Sequence, residues 1–338
     1  MSARPRVSHS PPRVGFVGLG WIGRKRLDAL TADDAGSIDV AALVDSDADR
    51  LRAAARAHPG AATAPTVDPL FDADLDAVVI ATPSGLHAHQ VIACLEQGLA
   101  VFCQKPLATT LLDVHRALAA ARASDRLLGI DFCYRHITGM PELRRRLMSG
   151  AIGEIIAIDL VFNNAYGPDQ SWCRNRALAG GGCLLDLGVH LLDLALWVQC
   201  MPPIERVRSR LFAHGQPTQG CDGELEDLAY AEFVQANGAM VRLCCSWHAH
   251  IGQPAQIQMD ITGTRGGASW CNVNGSFYDF DVHWLQGANR EQLGASRDDW
   301  GTRALRAWLR QLAASNRFDV EAENIARSAA LIEEVYRA

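Results

Sequence analysis

The run RVGFVGLGWIGRKRLDAL, residues 13–30, constrains this chain more than any other stretch. An apolar strand pattern passes without a linker into a helical one, and Gly18, Gly20 and Gly23 stand at the junction in the order GxGxxG. Each glycine answers a separate demand: the tight turn, the close approach of a pyrophosphate, and the packing of helix against strand. The helix N-terminus then faces the phosphates. A second apolar strand, IDVAALVD, ends in Asp45, 22 residues after Gly23. A carboxylate there accepts from the adenosine ribose hydroxyls and repels a 2′-phosphate, which favours NAD over NADP. Trp21 and Ile22 inside the turn and Arg50 beyond Asp45 complete the expected nucleotide contacts. Arg24, Lys25, Arg26 and Arg50 keep NADP open, although the first three also read as the solvated side of the first helix.

The alternation continues with a helix near 47–58, strand DAVVIAT at 76–82, a helix near 87–97, strand AVFCQ at 100–104, a helix near 109–123 and strand LLGIDFCY at 127–134. Apolar strands alternating with helices give a parallel sheet covered on both faces. The expectation is a doubly wound dinucleotide-binding domain over residues 1–133, with 1–12 as a loose arm. Ligands in such sheets lie at the carboxyl ends of strands, which brings Thr82, Pro83 and His87 of ATPSGLH, and Gln104 and Lys105 of QKPLA, to the cofactor side. A proline turn that opens a helix also has a purely structural reading.

From residue 134 the character changes. EIIAIDLVFN, ERVRSRLF, YAEFVQ, AMVRLCCSW and QIQMDITG follow one another with turns and no regular helix between neighbours. Residues 134–315 are therefore expected to form an α+β domain on a large, mostly antiparallel open sheet. One helical insert, 179–198, places Asp186, His190 and Asp193 at i, i+4 and i+7 on one face. A carboxylate beside a histidine fixes its tautomer and raises its proton affinity, which suits a general base near neutral pH. A core histidine satisfied by an aspartate is the alternative.

Lys105 is one of two lysines against 30 arginines. An ammonium is compact and can surrender its proton when desolvated, whereas a guanidinium stays charged and forked. The order GLGWIG, Asp45, ATPSGLH, QKPLA and GGGCLLDLGVHLLD resembles the Gfo/Idh/MocA oxidoreductase family over most of the chain, as does the closing helix ENIARSAALIEEVYRA. The resemblance implies that Lys105, Asp186 and His190 are catalytic, with Gly18, Gly20, Gly23 and Asp45 at an NAD(P) nucleotide. It also implies that Arg135, Trp172, Arg174 and His248 line a substrate pocket, and that helix 316–338 packs back toward the first domain. One departure is Gln104, where the family often carries glutamate before Lys-Pro. The activity implied is hydride transfer on a secondary alcohol of a sugar, sugar derivative or cyclitol. An internal redox shuttle that hydrolyses glycosides, a nucleotide-binding sensor without turnover, and a reductase of non-sugar carbonyls or imines are the rivals.

A net charge of −6 without a long basic run gives no footprint for nucleic acid. The apolar runs fall below the roughly 18 residues of a spanning helix, and the N-terminus has no apolar signal region, so the cytoplasm is expected. Ten scattered cysteines without a CxxC pair read as reduced thiols, and the two HAH pairs have no ligand-spaced partners, so no metal is expected. The open sheet needs its outer face covered, and a homodimer or homotetramer would do so.

Overall fold

The computed structural model describes residues 11–33, 38–219, 224–297 and 302–338. Two compact units divide the chain. The first comprises Met1–Ala108, Leu112–Asp131 and Gly301–Glu323, and the second Thr109–Leu111, Phe132–Trp300 and Asn324–Ala338.

The first unit is built on β1 (Arg13–Val17), β2 (Asp39–Val44), β3 (Ala62–Ala64), β4 (Ala77–Ile80), β5 (Ala100–Cys103) and β6 (Leu128–Ile130), in the order β3-β2-β1-β4-β5-β6. Every pairing is parallel. β4 and β5 are buried at every position, as strands covered on both faces must be. The helices between them are α1 (Trp21–Asp33), α2 (Ala48–Ala57), α3 (Ser84–Glu96) and α4 (Leu111–Ser124). The strand order reverses between β1 and β4, so the loops after these two strands meet at the topological switch point. The strand expected to reach residue 134 stops at Ile130. Asp131 turns into the core onto Arg26, and Cys133–His136 forms a 3₁₀ turn.

The core of this unit also takes in α8 (Arg303–Ala314), whose residues the sequence assigned to the sheet domain. Leu305, Trp308 and Leu312 pack with Val14, Phe16, Leu27 and Phe102. The Trp308 ring lies 5.6 Å from Phe102 and rests on Gly129, where a Cβ would collide with it. Full burial of apolar side chains of this size stabilises by roughly 1.5–3 kcal/mol each.

The second unit carries a nine-stranded sheet in the order β15-β14-β13-β12-β7-β11-β10-β8-β9. Its strands are β7 (Ile155–Asn164), β8 (Ile204–Ala213), β9 (Gln216–Thr218), β10 (Leu228–Gln235), β11 (Met240–Ser246), β12 (Ala255–Gly263), β13 (Gly267–Asn272), β14 (Asp279–Gln286) and β15 (Asn289–Arg297). All neighbours are antiparallel except β7 and β11. Period-two alternation puts Ile158, Leu160 and Phe162 of β7 and Val241, Leu243 and Cys245 of β11 on the buried face. Helices α5 (Met140–Met148), α6 (Arg176–Ala179), α7 (Val189–Trp197) and α9 (Ile325–Arg337) belong to this unit. α7 is buried from Val189 to Leu196 and packs on β7 and α9. The helical run Arg176–Trp197 is long and apolar enough to cross a bilayer, yet 78% of its apolar window is buried in the protein. It is a core helix here. α9 belongs to this second unit, where Ser328 donates to Asp193 and Ser209 to the Val335 carbonyl.

Candidate functional site

In the first unit the glycine turn behaves as its spacing requires. Gly18 has φ +87°, and a Cβ there would lie 2.6 Å from the Ala81 carbonyl oxygen in the loop after β4. A Cβ on Gly23 would overlap the Gly18 carbonyl. Gly20 differs, because a Cβ there would meet only the Arg50 guanidinium, at 3.7 Å. Among the described residues nothing demands a glycine at position 20. The open space over its backbone at the start of α1 is what a closely approaching pyrophosphate requires, so the residues present fit a dinucleotide. Trp21 is exposed with the Lys25 ammonium 5.4 Å from its ring, and Ile22 is half-buried.

Asp45 ends β2 as expected, and its carboxylate is already engaged. Oδ2 accepts from Leu19 N at 2.6 Å and Oδ1 from Asp47 N at 2.8 Å. These bonds fix the carboxylate to the glycine turn and leave its other lone pairs for ribose hydroxyls. Arg50 is exposed, with its Nε 3.5 Å from Asp47.

His87 is deeply buried, and its ring nitrogens lie 2.7 Å from the Pro106 carbonyl oxygen and 2.8 Å from that of Thr82. Burial pushes its proton affinity down, while the two carbonyls oppose that and the Lys105 charge adds to it. The imidazole therefore ties the loop after β4 to the loop after β5. Thr82 and Pro83 are half-buried beside it, and the Thr82 hydroxyl donates to Gln90 Oε1 at 2.6 Å.

Lys105 follows β5 and is half-buried. Its backbone N–H donates to Gln104 Oε1 at 2.9 Å, and Gln104 Nε2 donates to Asp131 Oδ2 at 3.2 Å. The same Oδ2 accepts from Arg26 Nε and Nη2 at 2.8 and 2.6 Å. Arg26 and Asp131 are each 1% exposed. Arg26, which reads in sequence as solvated, is thus a buried cation whose carboxylate partner also holds the residue before Lys105. An amide at position 104 can donate to Asp131, whereas a carboxylate could only oppose it. That is the local reason for the glutamine.

In the second unit the segment expected as one regular helix is interrupted. After Ala179 the chain turns through Gly180–Gly182, Leu184–Gly188 forms a π turn, and α-helix resumes at Val189. Such wide turns occur often at functional sites. Asp186 lies on the π turn and accepts from Trp247 Nε1 at 3.0 Å. His190 is 8% exposed and faces Tyr134, with ring centroids 5.0 Å apart, and Phe162 at 6.4 Å. Trp270 and Phe280 extend this aromatic wall. Burial raises the Tyr134 phenol well above its usual range, and the Asp186 charge adds to that.

Asp193 takes no part in this group. Arg135 donates to it from Nε at 2.7 Å and Nη2 at 2.5 Å, and Ser328 of α9 from its hydroxyl at 3.0 Å. Arg135 is a candidate substrate ligand in sequence, but its fork is committed to Asp193, and its guanidinium lies over Phe132 and Trp197. Trp172 and Arg174 share the 3₁₀ turn Ser171–Arg174, the first half-buried and the second exposed. His248 is exposed and packs on Gly167, where a Cβ would overlap its ring. Sequence reasoning missed Tyr134, the immediate neighbour of Arg135 in CYRH.

Comparison with known proteins is consistent between sequence and structure. Residues 12–132 match the oxidoreductase family with an NAD-binding Rossmann fold, and residues 140–269 match the GFO/IDH/MocA C-terminal domain. The chain is 35% identical to inositol 2-dehydrogenase 3 of Saccharopolyspora erythraea over 264 residues, 75% of this chain and 71% of that one. It is 26% identical to D-glucoside 3-dehydrogenase of Escherichia coli (strain K12) over 276 residues, 78% of each. The crystal structure of KijD10, a 3-ketoreductase from Actinomadura kijaniata in complex with NADP and TDP-benzene, superposes with a TM-score of 0.81 at 25% identity, covering 97% of both chains.

Proposed function

The chain belongs to the Gfo/Idh/MocA family of NAD(P)-binding oxidoreductases, and on that premise we propose that it interconverts a secondary alcohol and a ketone on a sugar, sugar derivative or cyclitol. The observation that carries the reading is the grouping in the second unit of a buried histidine, an aspartate on a π turn, a tryptophan donor to that aspartate, and an aromatic wall. Relatives named for inositol and D-glucoside oxidation support that substrate class.

When bound, the nicotinamide supplies the acceptor or donor of the hydride. His190 removes the hydroxyl proton in the oxidative direction, and Asp186 orients it and relays the proton. The indole of Trp247 holds the Asp186 carboxylate in place through its N–H. Lys105 donates to the substrate oxygen, where charge develops as the carbonyl forms. Its peptide is held by Gln104, so the side chain starts from a fixed backbone. Asp45 favours NAD over NADP, since a buried carboxylate at the end of β2 repels a 2′-phosphate. Trp172, Arg174 and His248 are proposed substrate contacts. We further propose association of copies through the outer face of the nine-stranded sheet, where Tyr230 and Met240 are exposed. Sedimentation velocity tests that.

Absorbance of the reduced nicotinamide tests the activity, with NAD or NADP and a panel of aldoses, glycosides, sugar acids and cyclitols. Growth of the signal with one substrate class is the expected result. Silence across the panel, with nucleotide recovered from denatured protein, would move the reading to the internal redox shuttle.

A further inference from the structure

Glu226 stands between β9 and β10, outside every role assigned above, and is fully buried. Its carboxylate accepts from Gly182 N at 3.0 and 3.1 Å, from Leu184 N at 3.0 Å, and from the Tyr336 hydroxyl of α9 at 2.9 Å. Its own carbonyl accepts from Cys183 N at 2.8 Å. One residue therefore receives the amides of three successive residues at the entry to the π turn. The glycines there are explained by the same contact, because a Cβ on Gly182 would overlap the Glu226 carbonyl and one on Gly181 the Tyr336 hydroxyl.

The consequences run straight to the site. Asp186 N donates to the Gly182 carbonyl at 3.0 Å, so the height at which Gly182 is held sets where Asp186 begins. The adjoining Asp227 carbonyl accepts from Trp247 N at 2.8 Å, and the Trp247 indole in turn holds Asp186. Residues 226 and 227 thus grip the Asp186 turn from its backbone and from its side-chain partner.

We infer that Glu226, clamped by Tyr336 of the C-terminal helix, is the positioning residue that sets where Asp186 and His190 stand. The inference rests on the proposed oxidoreductase reading for its kinetic consequence, and on geometry alone for its structural one. A displacement of about 1 Å at a reacting group can lower turnover on the order of 10²-fold.

The test uses Glu226→Ala, Glu226→Gln and Tyr336→Phe in the full chain, with turnover, KM for the nucleotide, melting temperature, and the ¹H–¹⁵N indole resonance of Trp247. Glu226→Ala should lower kcat on the order of 10²-fold while KM for the nucleotide stays within about twofold. Glu226→Gln, which keeps one acceptor oxygen, should recover most of that loss, and Tyr336→Phe should fall between. The Trp247 resonance should move in the order of the kcat losses. If Glu226→Ala does not fold, the two milder variants carry the comparison. Unchanged kcat and an unmoved Trp247 resonance in Tyr336→Phe and Glu226→Gln, with wild type active, would overturn the inference. A wild type inactive on every substrate would refute the proposed activity instead, and the resonance would still decide the positioning.

Discussion

Gln104→Glu isolates the reasoning about the residue before Lys105. The substitution keeps shape and removes one donor, setting a second carboxylate 3.2 Å from Asp131 Oδ2. At an effective dielectric of about 20, two unit charges at that separation repel by about 5 kcal/mol. The buried Arg26 guanidinium cannot neutralise both carboxylates, and the Nε2 donation to Asp131 is lost as well. The variant escapes by holding a proton on the introduced carboxyl, so the folded-state pKa of that group rises above its unfolded value of about 4.3. The sign follows: below the unfolded pKa both states carry the proton and the variant approaches wild type. The deficit then opens as pH rises through the raised folded pKa, towards an upper limit of about 5 kcal/mol. Urea unfolding of both proteins from pH 4 to 8 measures it. A second arm, Gln104→Glu with Asp131→Asn, restores one carboxylate to one guanidinium and should recover most of the loss. A deficit independent of pH, or one the double variant does not relieve, would refute the electrostatic account.

Four further outcomes follow from the same structure. Lys105→Arg should lower kcat on the order of 10²-fold or more with little change in nucleotide affinity, read by steady-state kinetics and nucleotide fluorescence titration. Gly20→Ala should keep the melting temperature, since its Cβ meets only Arg50 at 3.7 Å, yet weaken nucleotide binding. Gly23→Ala overlaps the Gly18 carbonyl and should destabilise by about 3 kcal/mol in thermal unfolding. His87 is held below its usual pKa by burial, so its contribution is intact above about pH 6.5 and is lost as pH falls toward the folded value. Compared with His87→Asn by unfolding at stepped pH, wild type alone should show that slope as pH falls below about 6.5.

Much of the first unit was legible because its signals are local. The strand-to-helix junction at Gly18–Gly23, the carboxylate ending β2 and the breaks after β4 and β5 are each written within a few residues. The interrupted helix was half legible. The DxxxH spacing was visible, but the π turn over Leu184–Gly188 was not, because its geometry answers Glu226, 42 residues from Leu184. Strands β13 to β15 escaped the pattern reading, since Trp270, His283 and Trp284 blur a clean alternation of apolar and polar residues.

The order of residues alone specifies the doubly wound nucleotide unit, the sheet unit that follows, and the residue types proposed for base, relay and cation. Backbone propensity and side-chain period act over a few residues, so they can be read without a fold. Which buried charge meets which is settled in three dimensions. Arg26 finds Asp131 across 105 residues, Trp247 finds Asp186 across 61, Arg135 finds Asp193 across 58, and Tyr336 finds Glu226 across 110. A buried polar group must be satisfied by whatever partner the packing delivers, and packing is a property of the whole chain.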